Sequence, residues 1–146
     1  VALFRITRES PLSPAEAWRR LTDWERHGDV VPLTRVRLAT PPPTGEGTVF
    51  VPRTGVGRFA FDDPMEVVAW EPPHGATAGR CRLEKRGTFV TGWAEIAVAP
   101  HGPGSRIVWQ EEIRVRPLPE RCDPLLARAG RLMFARAVNG LLTYGS

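Results

Sequence analysis

The chain alternates from its first residues. Leu3, Arg5, Thr7 and Glu9 fall on one side of an extended segment and Phe4, Ile6 and Arg8 on the other, which predicts a strand over 3–9. Ser13-Pro14-Ala15-Glu16 then has the form of a helix start: a serine oxygen can accept from the amide three residues on, and proline needs no amide in the first turn. The predicted helix runs through Ala17, Trp18 and Leu21 to about Thr22. A second short helix is expected from Trp24 to about His27, capped by Asp23 and ended by Gly28, with Pro32 blocking continuation.

The middle of the chain reads as β. Val36 and Leu38 alternate with Arg35 and Arg37, and a further strand is expected over Thr48–Arg53. Strand pieces at Arg58–Phe61 and Met65–Trp70 are broken at Asp62-Asp63-Pro64. Thr77–Arg86, Phe89–Ala99 and Arg106–Arg116 are predicted to be three long strands, paired antiparallel because their connections are short. The last element is a helix from about Asp123 to Tyr144, with Asp123 as N-cap and Pro124 in its first turn. At 1.5 Å per residue it spans roughly 30 Å, enough to cross a sheet.

This order makes the chain α+β: a curved antiparallel sheet around one long C-terminal helix, with two short helices after the first strand. The inner helix face collects Leu126, Ala129, Gly130, Met133, Phe134, Ala137, Gly140, Leu141 and Tyr144. Four of those nine are Ala or Gly, although a mid-helix glycine costs about 1 kcal/mol relative to alanine. Small residues either let the helix lie close on the sheet or leave space for a ligand. Polar residues on inward faces favour space, and on that reading a larger side chain at Gly130 fills it with modest change in stability.

Strand phase identifies those polar residues. Glu111 shares a face with Ile107, Trp109, Ile113 and Val115, and Lys85 shares one with Cys81 and Leu83. Either both lie near strand ends and reach water, or both line a wet, mostly apolar pocket. A buried carboxylate is costly unless paired or neutralised, and burial would raise its pKa towards a useful range for proton transfer. Glu111 and Lys85 are therefore the candidate catalytic pair. Trp24, His27, Phe50, Ala94, Trp109, Gly130, Met133, Phe134 and Ala137 are the candidate ligand contacts.

With 146 residues the chain is expected to form one domain, 1–146. Nineteen of its twenty basic residues are arginine and the net charge is +4, but no run of five or six cations appears, so no nucleic-acid partner is expected. No apolar run is long enough to insert into a membrane, and the first residues do not form a signal peptide's apolar block. Cys81 and Cys122 match no redox or metal spacing, and three separated histidines do not suggest zinc. A cytoplasmic protein without metal or cofactor is the expectation; the oligomeric state is left open.

Ser13-Pro14-Ala15-Glu16-Ala17-Trp18, Leu21-Thr22-Asp23-Trp24 and Pro32, followed by Trp70-Glu71-Pro72-Pro73, Gly87 and Ser105-Arg106-Ile107-Val108-Trp109, resemble the START-like, or SRPBCC, superfamily. That superfamily includes polyketide cyclase/dehydrase-like proteins and the birch pollen allergen. The resemblance covers nearly the whole chain as loosely spaced positions. It implies a helix-grip fold, in which seven antiparallel strands grip the C-terminal helix around a cavity for a hydrophobic ligand. The allergen branch has a longer glycine-rich loop where this chain reads Pro41-Pro42-Pro43-Thr44-Gly45-Glu46-Gly47, which argues against a phosphate cradle. The partner implied is a polyketide, lipid or quinone. The activity implied is a polyketide cyclase or dehydratase, a non-catalytic carrier or sequestering protein, or a ribosome- or protein-interaction module; fold alone does not choose among them.

Overall fold

Strand β1 (Ala2–Ser10) opens the chain, followed by helix α1 (Pro14–Leu21) and a 3-10 turn, Trp24–Arg26, that runs into α2 (His27–Val30). Strands β2 (Thr34–Leu38), β3 (Val49–Thr54), β4 (Phe61–Asp62), β5 (Met65–Glu71), β6 (Gly79–Lys85), β7 (Val90–His101) and β8 (Gly104–Val115) follow, and α3 (Asp123–Thr143) ends the chain. The structure, a computed structural model, describes residues 2–143. Tyr144, expected on the inner helix face, lies outside the described residues.

The strands form one antiparallel sheet whose seven main strands run in the order β1-β8-β7-β6-β5-β3-β2, with the two-residue β4 added beside β3. Alternation predicts its two faces correctly. Phe4, Ile6, Leu83, Ile96, Ile107 and Trp109 point into the core, while Arg82 lies over the ring of Trp93 outside. Of the expected Arg58–Phe61 strand, Arg58 and Phe59 lie instead in a 3-10 turn, Gly57–Phe59, and only Phe61 is in a strand, β4.

Ser13 caps α1 by accepting from the Glu16 amide. Glu16 does not reach back to complete the box. Its carboxylate is held by Arg19 and Arg20, whose hydrogen bonds lower its pKa to about 2. Arg20 also donates to the Leu142 carbonyl, joining α1 to the far end of α3.

Three local expectations are corrected. Gly28 does not end the second short helix but lies inside α2, where a Cβ would stand 3.1 Å from the Thr34 carbonyl oxygen; its role is close approach to β2. Asp23 makes no side-chain cap. Asp123 has helical dihedrals and is the first residue of α3 rather than its N-cap.

The small residues of α3 divide along its length. Ala137, Val138, Leu141 and Leu142 are buried, and a Cβ on Gly140 would stand 2.8 Å from the Val30 side chain. A Cβ on Gly130 would stand 2.8 Å from the Phe4 ring, so a larger residue there collides with Phe4 instead of filling free space. These glycines mark close packing. The free space lies under the N-terminal half of the helix, where Leu126 is half-buried and Ala129 and Met133 are exposed.

Candidate functional site

A cavity of about 270 Å³ lies between the N-terminal half of α3 and the concave face of the sheet. Its walls are mostly apolar and strongly aromatic. Phe134 stacks between Phe4 and Trp109, with ring centroids 5.7 and 5.5 Å away. Phe50, Phe61, Leu83 and Ile113 line the other sides. Ala129 and Met133 of α3, with the half-buried Val31 and Thr54, form its mouth.

Four ionisable side chains line this apolar space, and three of them, Asp63, Lys85 and Glu111, form one cluster. Glu111 sits well inside β8, paired with Phe4 of β1 on one side and Ala94 of β7 on the other, so it cannot swing out past a strand end. It is 1% exposed. Lys85 does end β6, yet its side chain is only 3% exposed because Asp63 closes over it. The strand-end route to water is therefore absent for both.

The Lys85 ammonium donates to Asp63 Oδ2 at 2.9 Å and lies 3.6 Å from Glu111 Oε2, an ion-pair distance too long for a hydrogen bond. Trp109 Nε1 donates to Glu111 Oε1 at 3.1 Å. Glu111 Oε2 and Asp63 Oδ1 are buried with no hydrogen-bond partner among the described residues.

Burial raises the pKa of Glu111 above the ordinary carboxylate value, and the Lys85 charge and the Trp109 hydrogen bond offset only part of that rise. For Lys85 burial acts to lower the pKa, but attraction to Glu111 and Asp63 outweighs it and the net direction is upward. The cavity thus holds a buried ammonium beside a carboxyl that burial makes a stronger proton acceptor than an ordinary carboxylate.

His27 lines the cavity at its α2 side. The second short helix does not end at His27, which instead begins α2 and is 8% exposed. Its Nε2–H donates to the Leu21 carbonyl at 2.8 Å, and burial lowers its pKa, keeping the ring neutral. It lies between Trp24 and Trp109, at 5.4 and 5.8 Å.

Of the candidate ligand contacts, His27, Phe50, Trp109, Gly130, Met133 and Phe134 line the cavity, as do Glu111 and Lys85. Trp24, Ala94 and Ala137 do not. Trp24 is 1% exposed and stacks behind Phe50 with centroids 4.5 Å apart. Ala94 faces inward but lies beneath Glu111, its neighbour across the ladder, and Ala137 is packed in the tight half of α3. The residue that sequence reasoning missed is Asp63. It sits in the break between β4 and β5, where no periodicity assigns a direction. The one available signal was a lone inward lysine, whose burial calls for more than one carboxylate.

A curved antiparallel sheet that grips a C-terminal helix over an internal apolar cavity is the helix-grip architecture. The chain belongs to the polyketide cyclase/dehydrase and lipid transport family, whose sequence profile matches residues 2–145. No curated protein matches the chain in sequence. Among solved structures it is similar to a START superfamily protein from Mycobacterium smegmatis, with TM-score 0.75, 14% identity and 97% of each chain covered. It is also similar to the Zhui aromatase/cyclase from Streptomyces sp. R1128, with TM-score 0.68, 14% identity, and 96% of this chain and 90% of that one covered. A third is a STAR-related lipid transfer protein from Xanthomonas axonopodis, with TM-score 0.69, 13% identity, and 95% of this chain and 85% of that one covered. At these identities the likeness establishes the fold. Among the described residues no helix is long and apolar enough to cross a membrane.

Proposed function

We propose that the chain binds a hydrophobic small molecule in this cavity and moves a proton on it, in the manner of a polyketide cyclase or dehydratase. The observation that carries this reading is the placement of a buried carboxyl, Glu111, 3.6 Å from a buried ammonium, Lys85, inside an otherwise apolar cavity. Enolisation and dehydration next to a carbonyl need a group to take or give a proton and a charge to steady the oxygen that becomes negative. Glu111 supplies the first and Lys85 the second. The aromatic walls exclude water and hold the guest's reacting carbon against the carboxyl.

The test uses 2-tetralone, a small bicyclic ketone whose acidic carbon–hydrogen bonds exchange with deuterium oxide. At saturating occupancy the protein is expected to speed deuterium incorporation over buffer. Glu111→Gln is expected to lose about a hundredfold of that acceleration, within the range usual for general acid–base groups, while changing the ketone's affinity less than threefold. If the wild-type protein binds 2-tetralone without accelerating exchange, it is a carrier and the catalytic part of the proposal is wrong.

A further inference from the structure

We propose that the ligand selected by this cavity carries a hydroxyl group on an apolar ring skeleton, and that this hydroxyl seats between Lys85 Nζ and Glu111 Oε2. The inference rests on the cavity being a site for an apolar molecule, as proposed above. It adds what that molecule's polar end must be.

The cluster has unfilled hydrogen-bonding capacity. Glu111 Oε1 is taken by Trp109, but Oε2 is buried and unpartnered. Lys85 has three hydrogens to give. One goes to Asp63, and the Met65 sulfur at 3.9 Å is a weak acceptor for another. The 3.6 Å between Nζ and Oε2 is too long for a direct bond. It is a suitable base for a third atom about 2.8 Å from each, an ordinary hydrogen-bond distance. An oxygen there accepts from the ammonium and meets the carboxyl.

The chemistry of that oxygen follows from its two neighbours. A hydroxyl both accepts and donates, so it satisfies Lys85 and also satisfies Glu111 in either protonation state. An ether oxygen accepts only and leaves an ionised Glu111 Oε2 without a partner. A carboxylate places a third negative charge beside Glu111 and Asp63 against a single ammonium. An amine meets Lys85 as a like charge. The surrounding walls, with Trp109, Phe134 and Phe50, suit a flat ring bearing the hydroxyl. A phenol or the enol of a cyclic ketone combines these features.

The experiment compares 2-naphthol, 2-methoxynaphthalene and naphthalene-2-carboxylate at pH 7 by titration calorimetry with the wild-type protein. The methyl ether is the more hydrophobic of the first two, so apolar burial alone ranks it first. The expected result is the reverse: 2-naphthol about tenfold tighter than the ether, and the carboxylate weakest. Glu111→Leu is expected to remove the preference for naphthol over its ether. The wild-type series decides the question even where that variant does not fold. If the ether binds as tightly as the naphthol, or the carboxylate binds tightest, the hydroxyl seat is wrong and the cavity reading stands. If none of the three binds, both fall.

Discussion

Replacing Lys85 by Met is expected to lower the unfolding free energy by about 3–5 kcal/mol, the usual consequence of removing one partner from a buried charge cluster. Methionine matches the stem in length and apolar character, so little packing is lost. What is lost is, among the described residues, the only cation within ion-pair distance of Asp63 and Glu111, both of which line an apolar cavity. The pH dependence separates this cause from a packing defect. A carboxyl whose folded pKa lies above its ordinary value of 4.5, as that of Glu111 does, contributes stability that is complete below 4.5 and is lost as pH rises through the folded value. Without Lys85 that folded value rises further and the loss grows. The deficit of Lys85→Met, measured by denaturant unfolding, should therefore be smaller at pH 4 than at pH 8. A deficit under about 1 kcal/mol, or one that does not change with pH, means that the ammonium is not what makes these carboxylates tolerable.

Gly92→Ala is expected to be about as costly, roughly 3–5 kcal/mol. Gly92 lies in β7 with φ +132°, outside the region open to residues with a side chain, and a Cβ there would stand 1.9 Å from the Glu112 carbonyl oxygen of β8. That neighbour is backbone in a ladder paired on both sides, so it cannot move aside alone. Gly102 provides the control. It also has positive φ, but nothing lies within 4 Å of its Cβ position, so Gly102→Ala should cost only about 1 kcal/mol. Equal melting temperatures for the two alanine variants would contradict this account of Gly92.

How much of the site can be read from sequence depends on whether position alone orients the side chain. Glu111 and Lys85 sit on strands, where period-two alternation settles which face each residue takes, and both point as their phase predicts. Asp63 sits between strands beside Pro64, and only the folded chain brings it over Lys85. His27 is buried because Gly28 lets α2 press onto β2, a contact with no local signature. The small residues of α3 show the limit most clearly. Close packing and open space both call for a missing side chain, so Gly130 reads the same in either case; the Phe4 ring opposite it decides for close packing. The same holds for Ala94 and Ala137, which are small because their neighbours are near. The element order was legible because capping, alternation and turn chemistry are local. The two-residue β4 and the 3-10 turn before it were not, since within Arg58–Phe61 only Phe61 finds a ladder partner, Thr54 of β3, while Arg58 and Phe59 belong to the turn.

The core of the account is that a ring-sized guest enters beneath the N-terminal half of α3 and meets the Trp109–Glu111–Lys85 cluster. The indole N–H of Trp109, bonded to Glu111 inside the cavity, reports on this in a nitrogen–proton correlation spectrum, and Trp93 on the outer sheet face serves as the internal reference. On titration with 2-naphthol the Trp109 indole signal should shift progressively to saturation while that of Trp93 stays in place. A Trp109 signal that does not move at saturating naphthol contradicts the account.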